Sequence, residues 1–404
     1  MTQRWPRDAV ARFLGKLLES DSAIPDSYFS EFPDLFRSLI EQEDSRLQGD
    51  KNSFRDWLTT AINSIRGEAI EALLNLALRQ KNAGREIQPW ILEIFRSRLE
   101  LAEESPAIFA LLGVKLRLLI HLFGNRLMEF QGLLFPPAKP EHRSAALIAH
   151  FKYDHPSSAI IEIFPGLINA ALDTLETIRT NVKDDHAKED SRELGYRLGT
   201  HIACYYWCGS FAGDEEGEAA LDRFFAIASD TTRAVLINEI GTIWEKPPNG
   251  PPDEKVIARV MRIWERRYAQ IVKELENRAG SASDHDAELA QSIDWLDCEC
   301  FPLDWRLAHA KSALERLQKA PQAYRLLKSI SALGVVPNRL EGSLELLQML
   351  LSKPGDEVRW SIQFQDLGPV LSSGFASGKP EIRRLAKECQ DMLLKRGFSD
   401  FLSL

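Results

Sequence analysis

Three residues with the spacing of a metal-ligand set occur in the middle of the chain. His201, Cys204 and Cys208 follow one another at intervals of three and four residues, so a helix would place them on one face. Cys298 and Cys300 could complete a tetrahedral zinc site from a neighbouring helix. Cysteine is also among the residues most often buried by ordinary packing. We therefore predict small core residues, with zinc as the alternative, and assign no metal and no cofactor.

A second group of residues combines positive charge with aromatic side chains. Arginine and aromatic residues carry much of the energy at protein interfaces, and they also contact single nucleic-acid strands. Acidic residues interleave with them, so a solvated, salt-bridged helix face is the alternative interpretation. The candidate binding residues are Lys255, Arg259, Arg262, Trp264, Arg266, Arg267 and Tyr268.

Motifs of common enzymes are missing from the sequence. It contains no Gly-x-Ser-x-Gly turn, no His-Glu-x-x-His and no glycine-rich dinucleotide fingerprint. The segment nearest to a phosphate-binding loop, Ser373 to Lys379, is one residue too short between its glycines and is followed by Pro380. We therefore assign no catalytic residue and predict that the protein is not an enzyme. The remaining enzymatic alternative is a zinc-dependent hydrolase or nuclease centred on His201.

The elements that must position these residues are predicted to be helices. Apolar residues recur at steps of three and four from Phe54 to Ala77, and similar runs cover most of the chain. Only Val358 to Phe364 alternates like a strand, and because a lone strand would have no backbone partner, we interpret it as helical too.

Two distant stretches share one helical pattern, which indicates internal repeats. In Ile65 to Leu76 and in Ile382 to Leu393, an apolar residue and an arginine precede small residues at steps of three and then a leucine. This pattern predicts close helix packing with the arginine outside. The predicted fold is all-α, an α-solenoid of stacked antiparallel helix pairs. Proline-rich segments divide it into residues 1–135, 141–246 and 253–404, which are expected to form one continuous array.

Composition and charge exclude several classes of partner. The 404 residues carry a formal charge of -9, which opposes broad attraction to nucleic acid or to an anionic membrane. The most apolar stretch, Ile108 to Phe123, is interrupted by Lys115 and Arg117, so no membrane span is expected. Five cysteines, an odd and thinly spread set, favour a reducing cytoplasm.

Short matches at both ends carry a resemblance to a known class of proteins. Asp56-Trp57-Leu58, Ala61-Ile62-Asn63 and Arg66-Gly67 resemble part of the C-terminal helical region of bacterial antiviral AVAST-type STAND ATPases and sirtuin-like defence proteins. The segment Gly397 to Leu402 resembles the ending of many such chains. Ile65 to Leu76 also resembles the second helix of HEAT repeats, so the solenoid is expected to be HEAT-like or TPR-like.

The resemblance implies a recognition role. In that class the helical array senses a phage component, while an ATPase module and a nuclease or NAD-consuming domain respond. This chain has no counterpart to either responding part. We therefore expect a protein-binding sensor or adaptor module of an antiphage defence system, or a piece of a longer chain. Its partner would be a phage protein or an effector or ATPase subunit. The alternative is a scaffold subunit of a hetero-oligomeric complex.

Overall fold

The described part of the chain is helical. A computed structural model describes residues 4–20, 31–41, 47, 55–101, 103–180, 185–245, 252–277, 285–318, 324–354 and 364–404. Within these ranges there are α-helices and 3₁₀ segments and no β-strand, which confirms the all-α prediction. Of the alternating segment Val358 to Phe364, all but the last residue lies outside the described residues.

The chain divides into two compact units, Met1–Ile227 and Ala228–Leu404. The boundary falls inside the predicted middle group 141–246. Helices that precede the proline-rich segment at 136–140 contact helices that follow it. This segment therefore does not separate two units. The helices of unit 1 are α1 Arg4–Glu19, α2 Phe32–Glu41, α3 Arg55–Ile62, α4 Ile65–Asn82, α5 Pro89–Glu100, α6 Pro106–Val114, α7 Leu116–Phe123, α8 Gln131–Leu134, α9 Pro140–Tyr153, α10 Ser158–Ile163, α11 Leu167–Thr180, α12 Asp185–Trp207 and α13 Asp214–Ile227, with a 3₁₀ segment at Gly124–Phe130.

The described elements of unit 2 are also helical. Its helices are α14 Asp230–Glu245, α15 Glu254–Asn277, α16 Asp286–Ile293, α17 Leu303–Arg316, α18 Tyr324–Gly334, α19 Leu340–Ser352, α20 Phe364–Phe375 and α21 Pro380–Lys395, with 3₁₀ segments at Asp294–Asp297, Pro337–Arg339 and Ser399–Ser403.

Helices in both units pack mainly on helices that are near in the sequence. In unit 1 a step of three recurs: α3 packs on α6, α6 on α9 and α9 on α12, while α1 packs on α4, α4 on α7 and α7 on α10. In unit 2 the steps are one and two, as in α14 with α16, α17 with α19 and α19 with α21. Contacts at steps of one and two are produced by stacked helix pairs, whereas contacts at steps of three are typical of a three-helix repeat. Unit 1 therefore differs from the helix pairs that the sequence predicted.

Local signals in the sequence set the ends of α4. Ser64 caps it, because its hydroxyl accepts a hydrogen bond from the backbone N–H of Gly67 at 2.9 Å. Glu68 in the first turn and Arg79 in the last turn complement the helix dipole. Gly84, with a φ of 70°, turns the chain away just after the helix ends.

A close backbone approach in unit 1 joins α6 to α9. Residues Ala107 to Gly113 of α6 are all buried, so this helix is surrounded by other elements. A Cβ atom placed on Gly113 would come within 2.1 Å of the backbone oxygen of Ala146. Only glycine therefore permits this contact at residue 113.

A buried ion cluster corrects the prediction that the arginine of the repeat pattern lies outside. Arg383 is exposed, but only 8% of Arg66 is exposed. Its Nη1 donates to Glu104 at 2.7 Å and its Nε donates to the backbone oxygen of Ile40 at 2.8 Å. Arg98, from the end of α5, donates through Nε to the other carboxylate oxygen at 2.7 Å. Arg66 is drawn inside because Glu104 is fully buried and needs positive partners.

No helix in the described ranges is by itself both long and apolar enough to cross a membrane. Two consecutive segments, Pro106–Val114 and Leu116–Leu134, are together long and apolar enough, but the chain bends by 68° at the break between them. The first of these segments is the buried α6.

Replacing Glu104 by glutamine is expected to destabilise unit 1 strongly. The change keeps the shape of the side chain but leaves two buried guanidinium groups without a counter-charge, at a cost of about 3 to 5 kcal/mol in the free energy of unfolding. Urea unfolding followed by circular dichroism measures the loss, and hydrogen exchange of α4 and α6 localises it.

The matched control is Glu129→Gln, because Glu129 forms an exposed pair with Arg96 at 2.9 Å. Exposed pairs contribute at most about 1 kcal/mol. If both variants lost the same small amount of stability, the buried cluster would not have the role assigned to it.

Candidate functional site

Four of the five basic residues of the predicted binding group form one stripe on α15. Lys255, Arg259, Arg262 and Arg266 follow one another at steps of four, three and four, which places them on one face of a helix. Lys255 is exposed and the three arginines are partly exposed. Lys273, seven residues after Arg266, is exposed and continues the same face. We call these five residues the basic stripe; the spacing of seven could have identified Lys273 in the sequence.

Trp264 belongs to the core and not to this surface. It is 3% exposed, and its ring lies 6.2 Å from that of Trp295 and 4.8 Å from that of His309, measured between centroids. Tyr268 is partly exposed, and its hydroxyl donates to the backbone oxygen of Ser312 at 3.0 Å. Large rings thus attach the inner face of α15 to α17 and to the segment Asp294–Asp297.

Arg267 is also buried, with only 1% of it exposed, although its neighbour Arg266 lies in the stripe. It binds the fully buried Glu288 through two hydrogen bonds, from Nε at 2.6 Å and from Nη2 at 2.8 Å. Arg233 of α14 donates through Nε to the same carboxylate at 2.6 Å. His285 lies 3.3 Å from that carboxylate and 3.0 Å from Glu274. We call these five residues the Glu288 cluster.

Electrostatics in the Glu288 cluster favour the charged form of the carboxyl. Burial alone raises the pKa of Glu288, but hydrogen bonds from Arg267 and His285 and the positive charges of Arg267 and Arg233 outweigh it and lower that pKa to about 2. The cluster therefore holds an ionised carboxylate inside unit 2. Arg267 and Trp264 fix α15 from within, and the basic stripe occupies another face of the same helix.

The residues of the alternative zinc site differ in their exposure. His201 is buried, Cys204 is partly buried and Cys208 is exposed. Cys298 and Cys300, the expected completing ligands, donate from their thiols to backbone oxygens of unit 2 at 3.3 and 3.4 Å. Among the described residues, no three His, Cys, Asp or Glu side chains form a group that could hold a metal ion.

His201 lies beside His150 and Asp154 at the end of α9. Its Nε2 lies 3.2 Å from the backbone oxygen of Asp154, and its ring centroid lies 5.7 Å from that of His150. Nδ1 of His150 is 3.6 Å from Oδ2 of Asp154. This carboxylate oxygen has no hydrogen-bond partner among the described residues, and His150 interacts with the backbone of Gly113. The spacing of four between His150 and Asp154 was visible in the sequence, whereas the approach of α12 was not.

Burial keeps this histidine pair neutral. It lowers the pKa of His150 to about 3, with the neighbouring His201 and Arg117 contributing, and it lowers the pKa of His201 to about 4. Burial also raises the pKa of Asp154, which Arg117 and the backbone of His155 partly offset. Both histidines are therefore neutral in the folded protein at pH 7.

Unit 1 is expected to lose stability as the pH falls below about 6.5, the ordinary histidine value. Unfolding releases two histidines that then bind protons, so each lowers the free energy of unfolding by up to about 1.4 kcal/mol per pH unit until its folded pKa is reached. Unit 2 has one described histidine of this kind, His309, whose pKa burial lowers to about 4, so unit 2 should lose less stability than unit 1 over the same pH range. The pKa of Glu288 is depressed from a value of 4.5, so unit 2 loses the contribution of that carboxylate only below about pH 4.5. Urea unfolding with hydrogen exchange at pH 7, 6 and 5 measures the difference.

The variant His150→Leu should reduce this pH dependence, because one of the two titrating groups is removed. His121→Gln, which changes an exposed histidine of the same unit, should leave the dependence as it is in the unchanged chain. Equal stability of α9 and α12 at pH 7 and pH 5 would contradict the assignment.

Comparison with known proteins gives no further guidance. The chain matches no model of a known protein family, and no curated protein matches it significantly.

Proposed function

We propose that this protein is a non-enzymatic, protein-binding helical array, and that the basic stripe of α15 is its principal recognition surface. The observation that carries the proposal is the division of α15 into two faces. Its inner face is held by Trp264 and Arg267, while five positively charged side chains occupy another face. A surface that is held rigid before binding loses less entropy when a partner arrives.

The dimensions of the stripe suit a protein partner. Lys255 and Lys273 lie about 27 Å apart along the helix axis, at 1.5 Å per residue. A row of this length matches an acidic helix or an acidic edge of a folded domain. Arginine and lysine on such a row steer association and select partners by charge complementarity.

Acidic neighbours of the stripe favour a protein over nucleic acid. Glu254, Glu265 and Glu276 are exposed on the same helix. They would repel a continuous phosphate backbone, and the overall charge of -9 acts in the same direction. A protein partner can instead place carboxylates opposite the arginines and basic or polar groups opposite the glutamates.

The cellular role that we propose is that of a cytoplasmic sensor or adaptor in a bacterial antiphage defence system. It is supported by the resemblance of Asp56 to Gly67 and of Gly397 to Leu402 to the helical regions of antiviral proteins. The partner would be a phage protein or an effector or ATPase subunit. A stacked solenoid would present the stripe on an extended surface.

Charge reversal at the centre of the stripe tests the proposal. The double variant Arg259→Glu and Arg262→Glu should reduce partner recovery at least about tenfold, since several charge-assisted contacts become repulsive. The measurement is affinity purification from the native host before and during phage infection, with quantitative mass spectrometry. Sensor function requires a partner gained on infection; a scaffold would copurify in fixed ratio without infection.

The matched control is Arg383→Glu with Arg384→Glu, which reverses two exposed charges on α21 of the same unit. Thermal unfolding should show that both double variants remain folded. If the stripe variant recovered the same partners in the same amounts as the control, α15 would not be the recognition surface.

A further inference from the structure

A cavity in unit 1 has the lining of a site for a small anion. Its volume is about 300 Å³, at the lower end of the range for ligand pockets. It lies between α8, the start of α9 and the start of α11. Its walls are formed by Gln131, Gly132, Phe135, Pro137, Arg143, Gly166, Leu167 and Ala170.

Arg143 gives the cavity its charge. Its Nε is shielded from solvent and has no hydrogen-bond partner, and Arg143 forms no ion pair with any described residue. None of the lining residues is acidic. The buried Nε itself cannot reach a ligand, but Arg143 is partly exposed, and the accessible N–H groups of a guanidinium bind carboxylate or phosphate oxygens. The cavity therefore contains a cationic donor whose natural partner is an oxyanion.

The other polar groups of the cavity are also donors or can act as donors. The side-chain amide of Gln131 lies next to Gly166: a Cβ atom built on that glycine would be 3.1 Å from Nε2 of Gln131. Helix α11 begins at Leu167 in the same wall, and Gly166 before it has no side chain with which to cap the first-turn N–H groups. These groups support Arg143 and do not define the site by themselves.

The remaining walls are apolar, which indicates what else the ligand carries. Phe135 and Leu167 are buried, and Pro137 completes this side. Pro137 is exposed, and an inorganic ion would leave its surface in contact with water. We propose that the cavity binds a small organic anion, with its carboxylate or phosphate group on Arg143 and its apolar body against Phe135, Pro137 and Leu167. This site is separate from α15 and does not depend on the recognition function proposed above.

Binding of simple probes to the full-length protein tests the proposal. The probes are benzoate, phenyl phosphate, inorganic phosphate and the neutral benzamide, each titrated by calorimetry and by thermal shift. We expect saturable binding of benzoate or phenyl phosphate and at least about tenfold weaker binding of benzamide, because charge-assisted hydrogen bonds are lost. Phenyl phosphate binding more tightly than inorganic phosphate would support the role of the apolar walls.

Two variants separate the site from general effects on folding. Arg143→Gln should weaken anion binding by about tenfold, and Ala170→Leu should weaken it by occupying the cavity. Arg126→Gln, an exposed arginine in the preceding 3₁₀ segment, serves as the control and should bind as the unchanged protein does. Ala170→Leu keeps the charge, so it tests the site even if Arg143→Gln does not fold.

Three results would overturn the proposal. The first is the absence of saturable binding by either organic anion up to about 10 mM, which corresponds to an affinity too weak to be specific. The second is binding of benzamide as tight as that of benzoate. The third is unchanged anion binding by both Arg143→Gln and Ala170→Leu.

Discussion

In the described part of each unit, a buried carboxylate is held between two buried arginines, and the helix arrangement around it depends on this interaction. A buried charge is costly unless its partners are in place, so the first arginine, the second arginine and the glutamate must all be positioned at once. In both units the first arginine lies early in one helix, the second in the next helix, and the glutamate near the start of the helix after that. The two sets are Arg66, Arg98 and Glu104 in unit 1 and Arg233, Arg267 and Glu288 in unit 2.

The sequence predicted the helices well because apolar spacing is a local property. The stripe through α4 is complete within a few turns, and Ser64 and Gly84 mark its ends. The same reasoning failed for Arg66, which was assigned to the outside because charged residues usually lie there. Its counter-charge, Glu104, is 38 residues away. No periodicity within α4 could reveal that this arginine turns inward.

The candidate sites show the same limit. The sequence could place Lys255, Arg259, Arg262 and Arg266 on one face, because helical geometry alone decides that. It could not separate Arg267 and Trp264 from them, since the partners of those two side chains come from other helices. Nor could it bring together the histidines of α9 and α12, which are neighbours only because α12 packs on α9. Contacts between helices, rather than within them, decide what each polar residue does.

The orientation of α15 about its own axis links the interior of unit 2 to the proposed recognition surface. Arg266 and Arg267 are adjacent in the chain and about 100° apart around the helix. Either arginine could in principle pair with a buried carboxylate. The two hydrogen bonds to Glu288 select Arg267, and the ring of Trp264 packs in the same direction, so that the face with Arg266 remains outside. The Glu288 cluster thus determines which row of charges a partner meets, although none of its members needs to touch that partner.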